Sequence, residues 1–491
     1  MINRRDRDGK PIEDSVFGEL FAHANGRLEI SKLSVKAKSL LESGKVVVKD
    51  VKHAIVKDAR YAEDKFFFHV PIMINARAAD KQSKFNDLVN AHVRDSRGVN
   101  VIGIDRGERH LLYVTVVNPR GEILEQRSFN VLEHETFAGK QAAVDYHAKL
   151  DQSEKARDAA RRSWQSIGKI KDLKAGYLSV VVHEIARMML KYNAVVALED
   201  LNFGFKRGRF AIEKQVYQKF EKALIDKLNY LVFKDIPATE PGGALKGFQL
   251  TDKFVSFERL GKQTGFVYYV PAAYTSKIDP TTGFTNLFDM KKCTNAQNIK
   301  DFFGSFDSIC YVKSENAFAF AFDYANFKTR LKGRKTDWVV YSGDRRLVFD
   351  AKSKSEKEIF PTRILLDALA MQKIPVEEGF DLKAYLQNLP ATRENAAFFK
   401  TVLYAFDRTL QMRNSCAATG DDYIHSPVKN ADGVFFDSRS CGPDLPQNAA
   451  ANGAYHIALK GLWIVTEALH DKKPDLKLEH ETWFAFAQSR S

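Results

Sequence analysis

The chain has 491 residues, 75 Lys and Arg against 62 Asp and Glu, and a formal net charge of +13. It exceeds what one hydrophobic core holds, so roughly two to four packed units are expected, and 44% hydrophobic with 28% charged residues argues against long disordered stretches. No apolar run reaches the roughly 18 residues that span a bilayer, the opening MINRRDRDGK has no apolar stretch after its charges, and Cys293, Cys310, Cys416 and Cys441 form no CxxC pair. A membrane anchor, an export signal, a disulfide framework and a zinc ribbon are therefore not expected. A reducing cytosol fits best, and the positive excess suits a polyanionic partner such as nucleic acid.

Residues 1–81 combine a short helix over Phe17–Ala24, a Val-rich strand over Lys45–Lys49 and an apolar strand, KFFFHVPIMIN, over Lys65–Asn75. They read as part of a β-rich domain. The charged start leads into this pattern without a strand or cap of its own, which suggests that Met1 falls inside a larger unit. VNVIGID follows, a buried-type strand ending at Asp105. After the turn RGER come the strand HLLYVTVVN, the turn PRG at Pro119–Gly121 and the strand EILEQRSFN. This predicts an antiparallel meander with an acid on its first strand.

The stretch from 147 to 174 is helix-forming yet charged on nearly every turn, with Trp164 as its one large apolar anchor. It either bridges elements and touches phosphates or is a solvated surface helix. YLSVVVHEIARMMLK (177–191) is apolar enough to pack on a sheet and leads into NAVVALED, a strand ending in Glu199 and Asp200. Strand, packing helix and strand imply an α/β layer. Ile212, Val216, Phe220, Leu224, Leu228 and Leu231 then share one helix face. From 271 to 448, short aromatic-rich strands, Gly and Pro turns and the Lys-rich loop AKSKSEKE indicate an inserted domain. ANGAYHIALKGLWIVTEALHD returns to a helix expected to dock on the α/β layer.

Asp105 and Glu199 each end an apolar strand. Singly, such an acid is usually a solvated terminus. Two in this order, with a helix between, match a two-metal nuclease that draws carboxylates from distant strands and a third from a closing helix. Two divalent ions serve because the attacking water must be ionised and the leaving oxygen neutralised beside an anionic phosphodiester.

The strings GIDRGERHLLYVT, ALEDLNFGFKRGRF, YTSKIDPTTGF, LQMRNS, DYIHSP and ANGAYHIALKG resemble, in order, the RuvC and Nuc motifs of the type V-A CRISPR RNA-guided DNA endonucleases, the Cas-twelve-a family. The resemblance runs from the first residues to the last and implies an α/β fold. An RNase H-like RuvC domain, split in sequence, would carry a bridge helix, an inserted α+β Nuc domain and a partial, β-rich wedge (WED) segment at the N-terminus. The implied boundaries are WED 1–81, RuvC-I 82–146, bridge helix 147–163, RuvC-II 164–271, Nuc 272–448 and RuvC-III 449–491.

By this likeness Asp105 and Glu199 are the first two RuvC carboxylates and ligands of Mg²⁺. Arg413 matches the Nuc arginine beside the active site, where a guanidinium would meet phosphate oxygens or stabilise transition-state charge. Asp422 matches a Nuc acid close by, with a plain turn residue as the alternative. Arg161 and Arg162 fall in the bridge helix, and Trp164 matches its anchor. Lys206, Arg207 and Arg209 either grip the strand delivered to the site or form a solvated basic loop. Lys57 matches a lysine used in guide processing, but the histidine that works with it would lie upstream of Met1 and Arg4 takes the place of its lysine partner. The implied partners are a CRISPR guide RNA, target DNA and an N-terminal recognition-lobe polypeptide, in the cytoplasm of a prokaryote.

One departure weighs most. The family carries an aspartate two residues before the asparagine of its ANG motif, whereas PQNAAANG has Ala450 there and Asn448 where another acid is common. The third metal ligand is missing, and Asp444 in CGPDLPQ is the nearest remaining acid. Changes to groups that merely support metal ligands commonly cost about 10–100-fold, so little or no cleavage is expected. The alternatives are an active Mg²⁺-dependent endonuclease with Asp444 as substitute ligand, and an unguided resolvase or transposase relative. The alanine reads as engineered inactivation or natural decay, with Asn448 leaning toward decay.

Overall fold

The computed structural model describes residues 4–47, 81–96, 98–106, 111–135, 141–149, 152, 169–201, 211–327, 335–353, 355–416, 419–471 and 474–490. The chain divides into two units, residues 1–73 and 74–491.

The described part of the first unit is helical. Helix α1 (Asp14–Ala24) starts three residues earlier than the apolar pattern suggests, with Asp14 in its first turn, where the helix dipole favours an acid. Helix α2 (Val35–Glu42) is capped by the Ser34 side chain, which accepts from the Ala37 amide. Val16, Leu20, Leu33, Ala37 and Val46 form their core. Residues 45–47, expected to open a strand, are irregular, because Val46 turns into this helical core while Lys45 pairs with Asp8. The apolar strand expected over Lys65–Asn75 lies outside the described residues.

The second unit begins with α3 (Gln82–Asp95) and the strands β1 (Asn100–Asp105), β2 (Tyr113–Val117) and β3 (Ile123–Ser128). A hairpin follows, β4 (Val131–Glu135) with β5 (Gln141–Asp145), and then α4 (Lys169–Lys191), β6 (Ala194–Glu199), α5 (Ala211–Asn229), β7 (Gln263–Thr264) and β8 (Val267–Val270). The main sheet has the order β3-β2-β1-β6-β8-β7. β2 runs antiparallel to β1 and β3, while β1, β6 and β8 are mutually parallel. This is the mixed sheet expected of an RNase H-like layer.

Burial on both faces explains the continuous apolar runs of β1 and β6. Alternate residues serve opposite faces. Ile102, Ile104, Val196 and Leu198 pack with α4 and α5, whereas Val101, Val195 and Ala197 pack with two C-terminal helices, Ala449–Thr466 and His480–Ser489, which close the other face.

Between β8 and those helices lies the insert. It contains α6 (Ala296–Gly304), β9 (Ser308–Val312), β10 (Ala317–Asp323), β11 (Asp337–Tyr341), β12 (Arg346–Asp350), β13 (Ser355–Ile359), α7 (Pro361–Met371), α8 (Leu382–Asn388), α9 (Ala396–Thr409), β14 (Arg413–Ser415), β15 (Asp422–Lys429) and β16 (Phe435–Asp437). Its core is aromatic: Phe303, Phe306, Phe318, Phe320 and Phe406 are all buried. An α+β insert over this region accords with the texture of its sequence.

Helix α10 (Ala449–Thr466) is buried along almost its whole length, and α11 (His480–Ser489) packs beside it. Two glycines bring α10 into contact with the sheet. A Cβ at Gly103 would lie 2.1 Å from the Ala454 carbonyl oxygen and 2.4 Å from the Ala458 nitrogen, and one at Gly461 would lie 2.7 Å from the Ala197 Cβ. Backbone cannot yield at such distances without shifting the helix. Gly103→Ala is therefore expected to destabilise the unit by about 2–3 kcal/mol, read as an earlier urea midpoint with an unchanged slope. A neutral Gly103→Ala would contradict this packing.

Candidate active site

Strand alternation aims two acids at one place. Asp105 and Glu199 lie in phase with Val101 and Val195, so both face α10, and the parallel register Ile104↔Leu198 sets their strands' ends side by side. Asp200, one residue on, sits out of phase and is bonded by Lys262 Nζ at 2.8 Å. Of the adjacent pair in the sequence, Glu199 is thus the acid that shares a sheet face with Asp105.

Both carboxylates are partly buried at their strand ends, and the Glu199 charge raises the proton affinity of Asp105. Asp105 is pushed up to about 7, by burial first and the Glu199 charge second, against Arg413, the Arg106 amide and the Arg106 charge. Burial also raises Glu199, opposed by Arg106, by a hydrogen bond from Thr275 and by Lys460.

Arg106 ties the two strand ends together. Its amide donates to Asp105 Oδ1 at 3.0 Å and its Nη2 to the Glu199 carbonyl at 2.9 Å, with the guanidinium 5.0 Å from the Tyr217 ring centroid. Thr275 Oγ1 donates to Glu199 Oε1 at 2.9 Å. Lys460, on α10, is 1% exposed and donates to the Pro271 and Ala273 carbonyls; burial pushes its ammonium down to about 7, partly offset by Glu199.

From the insert, β14 brings Arg413 close enough for its charge to act on Asp105, and its Nη2 lies 3.5 Å from Asp422 Oδ1 on the paired strand β15. The Asp422 side chain is 5% exposed and neither of its oxygens has a hydrogen-bond partner. Buried and ion-paired, it is no solvated turn residue. A cavity of about 970 Å³ opens beside these groups, lined by Thr275, Lys277, Phe349, Arg408, Gln411 and Arg413 among others.

Helix α10 supplies the remaining wall. A Cβ at Gly453 would lie 2.7 Å from Asp105 Oδ2, so bare helix backbone abuts the carboxylate. Position 450 lies one turn earlier, within the same-face spacing of three residues. Ala450 is 4% exposed and packs with Tyr113, the register partner of Asp105. The first turn reads Ala449, Ala450, Ala451 and offers no side-chain oxygen.

Asn448 is the N-cap of α10, its side chain accepting from the Ala451 amide at 2.8 Å. Asn and Asp cap about equally well, so Asn448 performs that task in full and is no sign of decay. The loop with Asp444 is fastened instead to β3, where Gln126 Nε2 donates to the Pro443 and Leu445 carbonyls. β3 is two strands from β1, about 10 Å away, and Asp444 is exposed.

A family model of the RuvC nuclease domain matches residues 79–491. The chain belongs to the RuvC nuclease family. Its nuclease scaffold is the split α/β layer, in which Asp105 and Glu199 lie side by side at the ends of β1 and β6. RuvC nucleases use Mg²⁺, a hard ion that prefers carboxylate oxygens. The Asp105 and Glu199 pair suits one such ion: two partly buried acids of like charge, each with raised proton affinity, would be relieved by a bound dication.

A second cluster, Asp344, His425 and Asp437, brings its potential ligand atoms within 4.8 Å, but Arg439 already bonds Asp437 and pairs with Asp344, balancing their charge. Lys57, Arg161, Arg162, Trp164, Lys206, Arg207 and Arg209 lie outside the described residues, as does most of the expected bridge helix. All four cysteines are unpaired. No helix among the described residues is long and apolar enough to cross a membrane.

The sequence reading passes over Arg106, Thr275 and Lys460. Each falls inside a string that resembles the family, and Lys460 carried a further signal as a lone charge within an otherwise apolar helix.

Proposed function

We propose that this chain is the RuvC and Nuc half of a type V-A CRISPR effector. It would hold guide RNA and target DNA together with an N-terminal recognition half, in a prokaryotic cytoplasm, and cut DNA little or not at all. The observation that carries the reading is Ala450. The six family-like strings support the identity, while the alanine helix turn beside Asp105 withholds the oxygen that a third ligand would give.

In this reading Asp105 and Glu199 would hold Mg²⁺, which when bound would supply charge for ionising water and neutralising a leaving oxygen. Arg106 fixes the two strand ends relative to each other, through the Asp105 carboxylate and the Glu199 carbonyl, and Thr275 orients the Glu199 carboxylate. Arg413 meets phosphate oxygens of the strand lying in the cavity, with Asp422 setting its orientation. Sequence would be read by guide pairing, with the protein gripping shape and backbone. Substitution by Asp444 is not favoured, because its loop is anchored on β3.

Phe349, 60% exposed on the wall of the cavity, is placed to stack on a base of that strand. Such stacking contributes about 1–3 kcal/mol, so Phe349→Ala is expected to weaken single-strand binding about tenfold without changing its salt dependence. The whole reading is tested by gel shift of the chain with an N-terminal half, guide and Mg²⁺. Guide-dependent capture of target DNA, recovered intact, is the expected result. Capture of branched DNA without a guide, or prompt cutting, contradicts it.

A further inference from the structure

The segment from Pro271 to Ile278 links β8 to the insert and passes directly beside Glu199. Backbone carbonyls along it are taken by side chains from α10 and α11. Lys460 Nζ donates to Pro271 at 2.7 Å and Ala273 at 2.6 Å, Trp483 Nε1 to Tyr274 at 2.9 Å, and Asn452 Nδ2 to Ile278 at 2.9 Å. Tyr274 is held in the left-handed region, φ +58°, its ring packed edge-on against Phe484 at 4.9 Å. A bulky non-glycine residue keeps such a backbone only where its surroundings dictate it. The next residue is Thr275, whose hydroxyl meets Glu199 Oε1.

Lys460 is the costly member of this clamp. Its ammonium is fully buried, bonded to neutral carbonyls and 5.0 Å from the Trp483 ring centroid. Burying a charge on neutral partners costs far more than an apolar side chain would on a helix whose other residues from Ile457 to Val465 are apolar or glycine. The two carbonyls it gathers, at 271 and 273, brace the turn that presents Thr275.

We infer that Lys460 is a positioning residue of the active site: it sets the Pro271–Thr275 backbone so that the Thr275 hydroxyl holds Glu199 in its metal-binding orientation. This rests on the reading of Asp105 and Glu199 as metal ligands. The consequence is that Lys460 and Thr275 act as one unit on metal affinity.

The test measures Mn²⁺ affinity, from the paramagnetic resonance of the free ion, for the full chain and for Lys460→Met, Thr275→Val and both together. Groups that orient ligands commonly contribute about 10–100-fold. Each single change is expected to weaken Mn²⁺ binding about tenfold, and the pair no more than the worse single, since both break the same link. Losses that multiply in the pair, or an unchanged affinity in Lys460→Met, overturn the inference. Should Lys460→Met not fold, Trp483→Phe keeps an aromatic side chain of smaller size and loses the indole N–H bond to Tyr274; it is expected to weaken Mn²⁺ binding severalfold, and no change overturns the inference. Asp105→Asn separates the two readings. If it leaves Mn²⁺ affinity unchanged, the metal reading fails, and a crystal structure of Lys460→Met (or of Trp483→Phe) then decides: a retained Thr275 to Glu199 bond overturns the positioning role, and a broken one supports it.

Discussion

Asp105→Asn is expected to stabilise the metal-free protein at pH 8 by about 2–4 kcal/mol. The carboxyl of Asp105 rises from 3.8 to about 7 on folding, through burial and the neighbouring Glu199 charge. One unit corresponds to about 1.36 kcal/mol, which puts the ceiling near 4 kcal/mol. The sign follows from where the proton is held more tightly. The folded state binds it more tightly, so folding is favoured below the unfolded value and stability is lost as pH rises through about 7. Asparagine keeps the shape and removes the charge, so its advantage should be full at pH 8 and vanish near pH 4. Chemical denaturation at the two pH values measures it. A loss of stability at pH 8 would show that the buried carboxylate pair is compensated by some other group.

Ala450→Asp is expected to act in the opposite sense without metal and in the same sense with it. Position 450 is buried beside the register partner of Asp105, so a new carboxylate joins two that already repel. An uncompensated buried charge costs about 3–5 kcal/mol, and the metal-free variant should melt well below the original chain. A divalent ion reverses this. With a third oxygen, Mn²⁺ affinity should rise about 10–100-fold, and each hundredfold excess of ion over its dissociation constant returns about 2.7 kcal/mol. The melting temperature of Ala450→Asp should therefore climb with Mn²⁺ far more steeply than that of the original chain. Equal slopes for the two would mean that residue 450 does not reach the metal.

The parts of this site that the sequence discloses are those carried by local pattern. β1 and β6 are unbroken apolar runs ending in acids, which is how strands covered on both faces read, and the run ending at Asp105 is recognisable without any partner in view. The period of two also separates Glu199 from Asp200, but only once the sheet's faces are assigned. Thr275 and Lys460 are joined by folding alone, across nearly two hundred residues, and neither residue type announces a role. Gly103 and Gly453 look like ordinary glycines until β1 and α10 lie against each other. The first unit misleads because Val46 belongs to a helical core while its Val-rich surroundings have strand character. Asn448 misleads differently: its neighbour at 450 suggested loss, whereas the helix needs an oxygen at its cap and asparagine provides one.

Whether this nuclease scaffold cuts DNA turns on the alanine at 450, and cleavage is the direct test. The chain as it stands and its Ala450→Asp variant would each be combined with an N-terminal recognition half, guide RNA and Mg²⁺, and the nicking rate of a matched single-stranded DNA measured. Negligible cutting by the original is expected, with a gain of at least about tenfold on Ala450→Asp, abolished again by Asp105→Ala. Brisk cutting by the chain with Ala450 in place would contradict this expectation.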